Sequence, residues 1–179
     1  IDAAQAKFPN IRLLQGTEME IKADGSLDFD DETLASLDFV VASVHTGLQQ
    51  DRETLTQRML NAIHHPAVRV IGHPTGRLLG KREGGDFNIE KLLRAAAETG
   101  TMTEVNASAQ RLDLDSIYVK RAIELGVTLS INCDAHHPDG FEELQFGVAT
   151  AQRGWASPEH IGNTYTCLLY TSDAADDIG

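Results

Sequence analysis

Val127-Thr128-Leu129-Ser130-Ile131-Asn132-Cys133-Asp134-Ala135-His136 is an apolar strand pattern that runs straight into Asp-x-His. In an extended chain, residues two apart project to the same side, so Asp134 and His136 can reach one ion together. Two further strand-like runs finish on a histidine: Val40-Val41-Ala42-Ser43-Val44-His45 and Val68-Arg69-Val70-Ile71-Gly72-His73. A fourth, over 11–21, carries Glu18 and Glu20 on one face. Apolar strands that repeatedly end in imidazole or carboxylate point to one shared polynuclear metal centre. Mixed ligands of this kind suit Zn²⁺ or Mn²⁺.

Helix patterns fill the gaps. The spacing predicts a short helix over 30–37, with acids in the first turn where the macrodipole favours them. An amphipathic helix over 51–63 follows, with Leu55, Met59, Leu60 and Ile63 at helical spacing and Pro66 as its stop. Further helices are expected over 88–99, over 114–125 with Gly126 as the cap, and over 140–153. Ser157-Pro158 starts a last short one. Strands are expected over 38–44, 68–71, 102–105 and 127–132. Strand and helix alternate without Asn-Gly hairpins between strands, which predicts parallel strands in right-handed βα units. The candidate ligands fall at strand C-termini, the functional face of an α/β barrel. The units are too few for a closed eight-stranded barrel, so the expectation is an α/β chain forming most of the C-terminal part of one.

Composition narrows the class. A chain of 179 residues has room for one domain with a core. The formal charge of −12 argues against a broad surface that coats nucleic acid. It leaves room for a small anionic group held by metal ions, because bound cations dominate the local field. No apolar run approaches the roughly 18 residues of a membrane span. There is no secretory signal pattern, and Ile1 in place of Met implies a start further upstream. Two cysteines, Cys133 and Cys167, are too few for a disulfide scaffold and favour a reducing, cytoplasmic compartment. The run beginning at Cys167 reads as an in-frame translation of TGT CTC TTA TAC ACA TCT, which looks like a transposon sequencing adapter. Residues 1–166 are therefore expected to be the domain and 167–179 a non-native tail.

Several motifs, taken in order, resemble the PHP (polymerase and histidinol phosphatase) superfamily, and within it the C-terminal PHP domain of bacterial family X DNA polymerases. They are Gly16-Thr17-Glu18-Met19-Glu20-Ile21, Ala42-Ser43-Val44-His45, Gly72-His73-Pro74-Thr75-Gly76-Arg77 and Asn132-Cys133-Asp134-Ala135-His136. Runs at Asp24-Gly25-Ser26-Leu27-Asp28, Arg111-Leu112-Asp113-Leu114 and Ala151-Gln152-Arg153-Gly154-Trp155 fit the same version. The resemblance implies a distorted (β/α)7 TIM-like barrel with a trinuclear site at the strand C-termini. Glu18 would be the bridging carboxylate, with His45, His73, Asp134 and His136 as further ligands. It implies 3′-5′ exonuclease or 3′-phosphatase chemistry on DNA 3′ ends in repair, with a polymerase domain upstream. Clustered divalent ions lower the pKa of bound water to about 7 from 15.7, so a metal-bound hydroxide is the expected nucleophile and no side-chain nucleophile is required. The family's opening strand, with its His-x-His, would lie before Ile1. The chain is therefore expected to be a C-terminal piece lacking the first strands, with weak metal binding and little activity.

Other readings stand beside this one. A stand-alone PHP phosphatase would act on small phosphomonoesters, as a histidinol phosphatase does, and a non-catalytic PHP scaffold would act on none. An amidohydrolase barrel is disfavoured because no strand offers the lysine it would carboxylate. Arg77 and Arg111 can fork onto a substrate phosphate or pair with an acid. Asn106 can bond substrate or a ligand carboxylate. Glu20 reads as structural, Cys133 as a buried thiol, and His64 and His65 as helix caps.

Overall fold

The computed structural model describes residues 1–165, so the expected tail over 167–179 lies outside the described residues. After a single helical turn, α1 (Asp2–Gln5), strands and helices alternate: β1 (Gly16–Glu20), α2 (Asp31–Ala35), β2 (Phe39–Ser43), α3 (Arg52–Ile63), β3 (Val70–Ile71), α4 (Ile89–Thr99), β4 (Met102–Asn106), α5 (Ser116–Glu124), β5 (Leu129–Asn132) and α6 (Leu144–Arg153). The local chemistry explains the boundaries. Asp30, Asp51, Asn88 and Asp115 each precede a helix and accept a hydrogen bond from one of its first free N–H groups. Gly100 and Gly126, both left-handed with φ of 74° and 80°, close α4 and α5.

The five strands pair in parallel, in the order β1-β2-β3-β4-β5. Sequential order without reversal is the winding of a barrel arc, whereas doubly wound sheets reverse at a switch point. Among the described residues the sheet is open, compatible with a TIM-like fold. Register sorts the side chains into two faces. Met19, Ala42, Ile71, Thr103 and Leu129 lie in one row and are buried. They pack with Leu55, Met59, Ile63, Leu93, Val119 and Ala122 from the helices into one core. The opposite face carries Glu18, Glu20, Ser43, Glu104, Asn106, Ser130 and Asn132. Strands buried on both sides normally read as continuous apolar runs. Here one face is polar, and it holds the candidate site.

Three expectations shift. The strand over 11–21 contracts to Gly16–Glu20. The helix over 140–153 splits into a 3-10 segment, Pro138–Glu143, and α6, because Pro138 and Gly140 favour the tighter turn. The helix over 114–125 begins at Ser116, once Asp115 has capped it. No helix among the described residues is long and apolar enough to cross a membrane.

On the outer surface Arg121 bridges Glu90 and Glu124, with Glu90 also meeting Arg94 at 2.6 Å. Arg121 holds the Glu90 carboxyl down at about 2; burial opposes it and Arg94 adds to the fall. Its folded pKa lies below the unfolded one. The stabilisation is therefore present above about pH 4.3 and lost as pH falls towards 2. Glu90→Gln is expected to lower the urea midpoint at pH 7 in low salt. That difference from wild type should vanish near pH 2 and shrink in high salt, since the pair is exposed. A difference independent of pH would rule this out.

Candidate metal centre

Glu18 leaves β1 on the polar face, and the residues beyond β2 and β3 bring two imidazoles to it. Oε1 of Glu18 lies 3.0 Å from Nε2 of His73 and 3.4 Å from Nε2 of His45. The three ligand atoms fall within 4.8 Å of one another, and the two rings meet edge to face at 4.9 Å. A tetrahedral ion with bonds of about 2.1 Å sets its ligands roughly 3.4 Å apart, so this spacing fits a shared ion. A second observation agrees: both ring nitrogens of His73 are buried, and apart from the 3.0 Å contact of Nε2 with the Glu18 carboxylate neither has a polar partner. Buried polar atoms are ordinarily partnered. A buried imidazole with so few partners, set against a carboxylate, is a donor pair that an ion could complete.

The backbone is shaped for this meeting. His73 and Asp134 both adopt left-handed conformations, with φ of 28° and 53°. Such a conformation costs a non-glycine residue about 1–3 kcal/mol and persists where surrounding structure enforces it. Gly72 makes room. A Cβ there would sit 2.4 Å from Ser43 Oγ, 2.9 Å from Val41 Cγ1 and 3.5 Å from Glu18 Oε1. Any side chain at 72 would push into the residues that position Glu18.

Electrostatics follows from these neighbours. The imidazole of His45, then that of His73, and a hydrogen bond from the Ser43 hydroxyl hold the Glu18 carboxyl far below the usual carboxylate range, despite burial. His45 is raised by Glu18 against the pull of burial, with Glu20 adding to the rise. For Glu20, burial pushes the carboxyl up, but bonds from Thr46 and His45 outweigh it and leave it below its ordinary value.

The sequence reading of Glu20 as structural needs amending. Its Oε2 accepts from His45 Nδ1 at 2.7 Å and from the His45 N–H at 2.9 Å. A carboxylate can only accept, so Nδ1 donates its proton to Glu20, and Nε2, 3.4 Å from Glu18 Oε1, is the ring nitrogen that faces the centre. Carboxylate–histidine pairs of this kind fix the tautomer and orientation of metal ligands. The clue was present in the alternation Glu18-x-Glu20, which puts both acids on one face.

Glu104 was missed altogether. Buried in the middle of β4, it accepts from the His73 N–H at 2.6 Å, Asn106 Nδ2 at 3.2 Å and Asn132 Nδ2 at 3.1 Å. Burial pushes its carboxyl up against these bonds. Its position in Glu104-x-Asn106, matched by Ser130-x-Asn132 across β5, was a period-two polar signal.

The remaining expected site residues are placed differently. Asp134 and His136 lie outside the group of three and form a pair of their own. His136 Nδ1 bonds the Asp134 carbonyl at 2.8 Å and lies 3.7 Å from its carboxylate, and the imidazole is largely exposed. Asn106 is buried and spends its amide on Glu104, a carboxylate outside the expected ligand set, and its oxygen on the Ser108 N–H. Arg77 acts as a brace. It donates to the carbonyls of Arg111 and Leu112 and pairs with Asp115 at 3.4 Å. The Arg111 side chain makes no hydrogen bond among the described residues, and its Nη1 is buried. Cys133 is a buried free thiol, and His64 caps α3 through Leu60, both as expected. His65 bonds Asp31 instead of its own helix.

No family model matches the chain. Over 163 residues, 91% of its length, it is 42% identical to the DNA polymerase/3′-5′ exonuclease PolX of Bacillus subtilis (strain 168), covering 29% of that protein. It is 33% identical over 175 residues to a probable phosphatase of Thermoanaerobacter sp. (strain X514), covering 92% of this chain and 66% of the relative. A probable phosphatase of Shewanella baltica (strain OS195) is 36% identical over 102 residues. The chain thus spans less than a third of the polymerase and just under two thirds of the Thermoanaerobacter phosphatase. With a Glu/His/His cluster at parallel strand ends and relatives of these two kinds, the chain belongs to the PHP superfamily and corresponds to the C-terminal part of bacterial family X DNA polymerases.

Proposed function

We propose that this chain is the metal-dependent phosphoesterase domain, over 1–166, of a cytoplasmic family X DNA polymerase, acting as 3′-5′ exonuclease or 3′-phosphatase on DNA ends in repair. The carrying observation is the carboxylate of Glu18 set against Nε2 of both His45 and His73. Glu18, His45 and His73 would hold Mn²⁺ or Zn²⁺. Asp134 and His136, at the end of β5, are proposed as further ligands of a trinuclear centre in a (β/α)7 barrel. Strands outside this sequence would supply the rest. When bound, such ions polarise a phosphoryl oxygen and activate water at neutral pH.

The chain's own residues set the geometry. Glu20 and Glu104 fix His45 and His73 from behind. Ser43 holds Oε1 of Glu18 at 2.7 Å. Arg111, whose side chain has no hydrogen-bond partner among the described residues, would supply a guanidinium for phosphoryl oxygens. Glu18→Gln is expected to remove manganese-dependent release of nucleotides from a labelled primer, assayed on the complete reading frame, together with tight metal binding. Activity unchanged in Glu18→Gln or His73→Ala would end this reading. The second reading, a phosphatase of small phosphomonoesters, draws on the greater share of the Thermoanaerobacter relative that the chain covers. It would appear as turnover of small monoesters with none of the primer.

A further inference from the structure

Five residues after His73 the chain folds into a small hairpin. Leu78 and Arg82 exchange backbone hydrogen bonds of 2.9 and 2.8 Å, and Gly80, with φ of 72°, forms the tip. Only glycine takes that conformation without strain. The hairpin is fastened to the loop beyond β4. The Leu79 N–H donates to the Gln110 carbonyl at 2.7 Å, and Lys81 Nζ donates to Gln110 Oε1 at 3.1 Å. Both loops are tied to the buried ligand's strand end. Gly76 N–H bonds the His73 carbonyl at 2.8 Å, and the Asp113 carboxylate takes the N–H groups of Thr75 and Gly76 at 3.0 and 2.9 Å. The hairpin is therefore a fixed part of the rim that carries His73.

Its charge is out of keeping with the rest of the chain, which has 27 acidic against 15 basic residues. Lys81, Arg82 and Arg111 gather here, and none makes an ion pair with a carboxylate among the described residues. Lys81 gives one donor to Gln110, Arg82 gives Nη2 to the Gly76 carbonyl, and the Arg111 side chain gives none. Glu83 is the carboxylate on the adjoining hollow of about 610 Å³. Leu79, in the same hairpin, is 45% exposed. Unpaired cations beside an apolar tip match a ligand that alternates phosphate and base.

We propose that the hairpin 78–82 and Arg111 form a clamp for single-stranded nucleic acid, gripping phosphates that flank the one at the metal centre. This rests on the phosphoesterase reading for its purpose, and it decides between substrates: a small monoester has no flanking phosphate to grip. The test is binding of a fluorescein-labelled thymidine oligonucleotide to the 179-residue chain, by anisotropy across a salt series without divalent metal. Lys81→Ala/Arg111→Ala is expected to weaken binding at least tenfold and flatten the salt slope by about 1.4, at roughly 0.7 for each phosphate that is no longer neutralised. In the complete reading frame, Lys81→Ala alone should hydrolyse bis(p-nitrophenyl) phosphate as wild type does in manganese, and Lys81→Arg should restore binding of the oligonucleotide. Wild type that fails to bind the oligonucleotide, or a double variant with unchanged affinity and slope, overturns the clamp. So does equal loss on both substrates. Absence of manganese-dependent hydrolysis in the complete reading frame would instead overturn the phosphoesterase reading and leave the binding result standing.

Discussion

Arg58→Met is expected to destabilise the chain by about 3–5 kcal/mol, the range for removing one partner from a buried charged network. Arg58 is 2% exposed on α3 and uses all five of its donors. Nε reaches the Lys22 carbonyl at 2.9 Å, Nη2 the Ile21 carbonyl at 2.6 Å, and Nη1 Gln50 Oε1 at 2.6 Å. Both Nη atoms also share the Thr46 carbonyl at 3.2 Å. Glu20 lies 3.8 Å away. Methionine fills the same channel but leaves these acceptors without donors, each at about 1–3 kcal/mol if water cannot replace them. Burial alone pulls the Arg58 pKa below its ordinary value, with Glu20 opposing. The expected loss in melting temperature is roughly 6–20 °C, at about 2–4 °C per kcal/mol for a chain of this size. Lysine should recover little, because its point charge cannot reproduce a planar fork. A methionine variant within about 1 kcal/mol of wild type in urea unfolding would show that the network is dispensable.

Glu20→Ala is expected to weaken metal binding by about 10–100-fold, the usual effect of losing a carboxylate behind a ligating histidine. Without Glu20, nothing selects the His45 tautomer or holds the ring against rotation, and Thr46 loses both of its bonds to Glu20 Oε1. Glu20→Gln should fall between, since its amide oxygen still accepts from Nδ1 but carries no charge. Competition against a chelating dye reads manganese affinity directly, and urea unfolding of the same samples separates a positioning role from simple loss of fold. Should Glu20→Ala hold manganese as tightly as wild type, Glu20 would have no part in the centre.

The strand-and-helix alternation was legible because apolar periodicity and Asp or Asn caps are local signals. Positions 30, 51, 88 and 115 each carry the cap their helix uses. Strand-end histidines were legible for the same reason, and so was the likeness of the motifs to PHP proteins. Residues that matter through a partner far along the chain were less visible. Nothing near Glu104 in sequence reveals that it supports the backbone of His73, and nothing near Arg58 announces four acceptors on Ile21, Lys22, Thr46 and Gln50.

By itself, then, the sequence determined the order of elements, the parallel strands and the donor types presented at their ends, since each depends on neighbours a few residues away. Tertiary structure alone decided which donors meet: Glu18 with His45 and His73, while Asp134 and His136 pair with each other. It also turned Glu20 into a support for His45 and Arg77 into a brace between loops. The physical reason is that hydrogen bonding and metal ligation act over about 3 Å between atoms. Only the packing of five strands brings groups tens of residues apart within that reach.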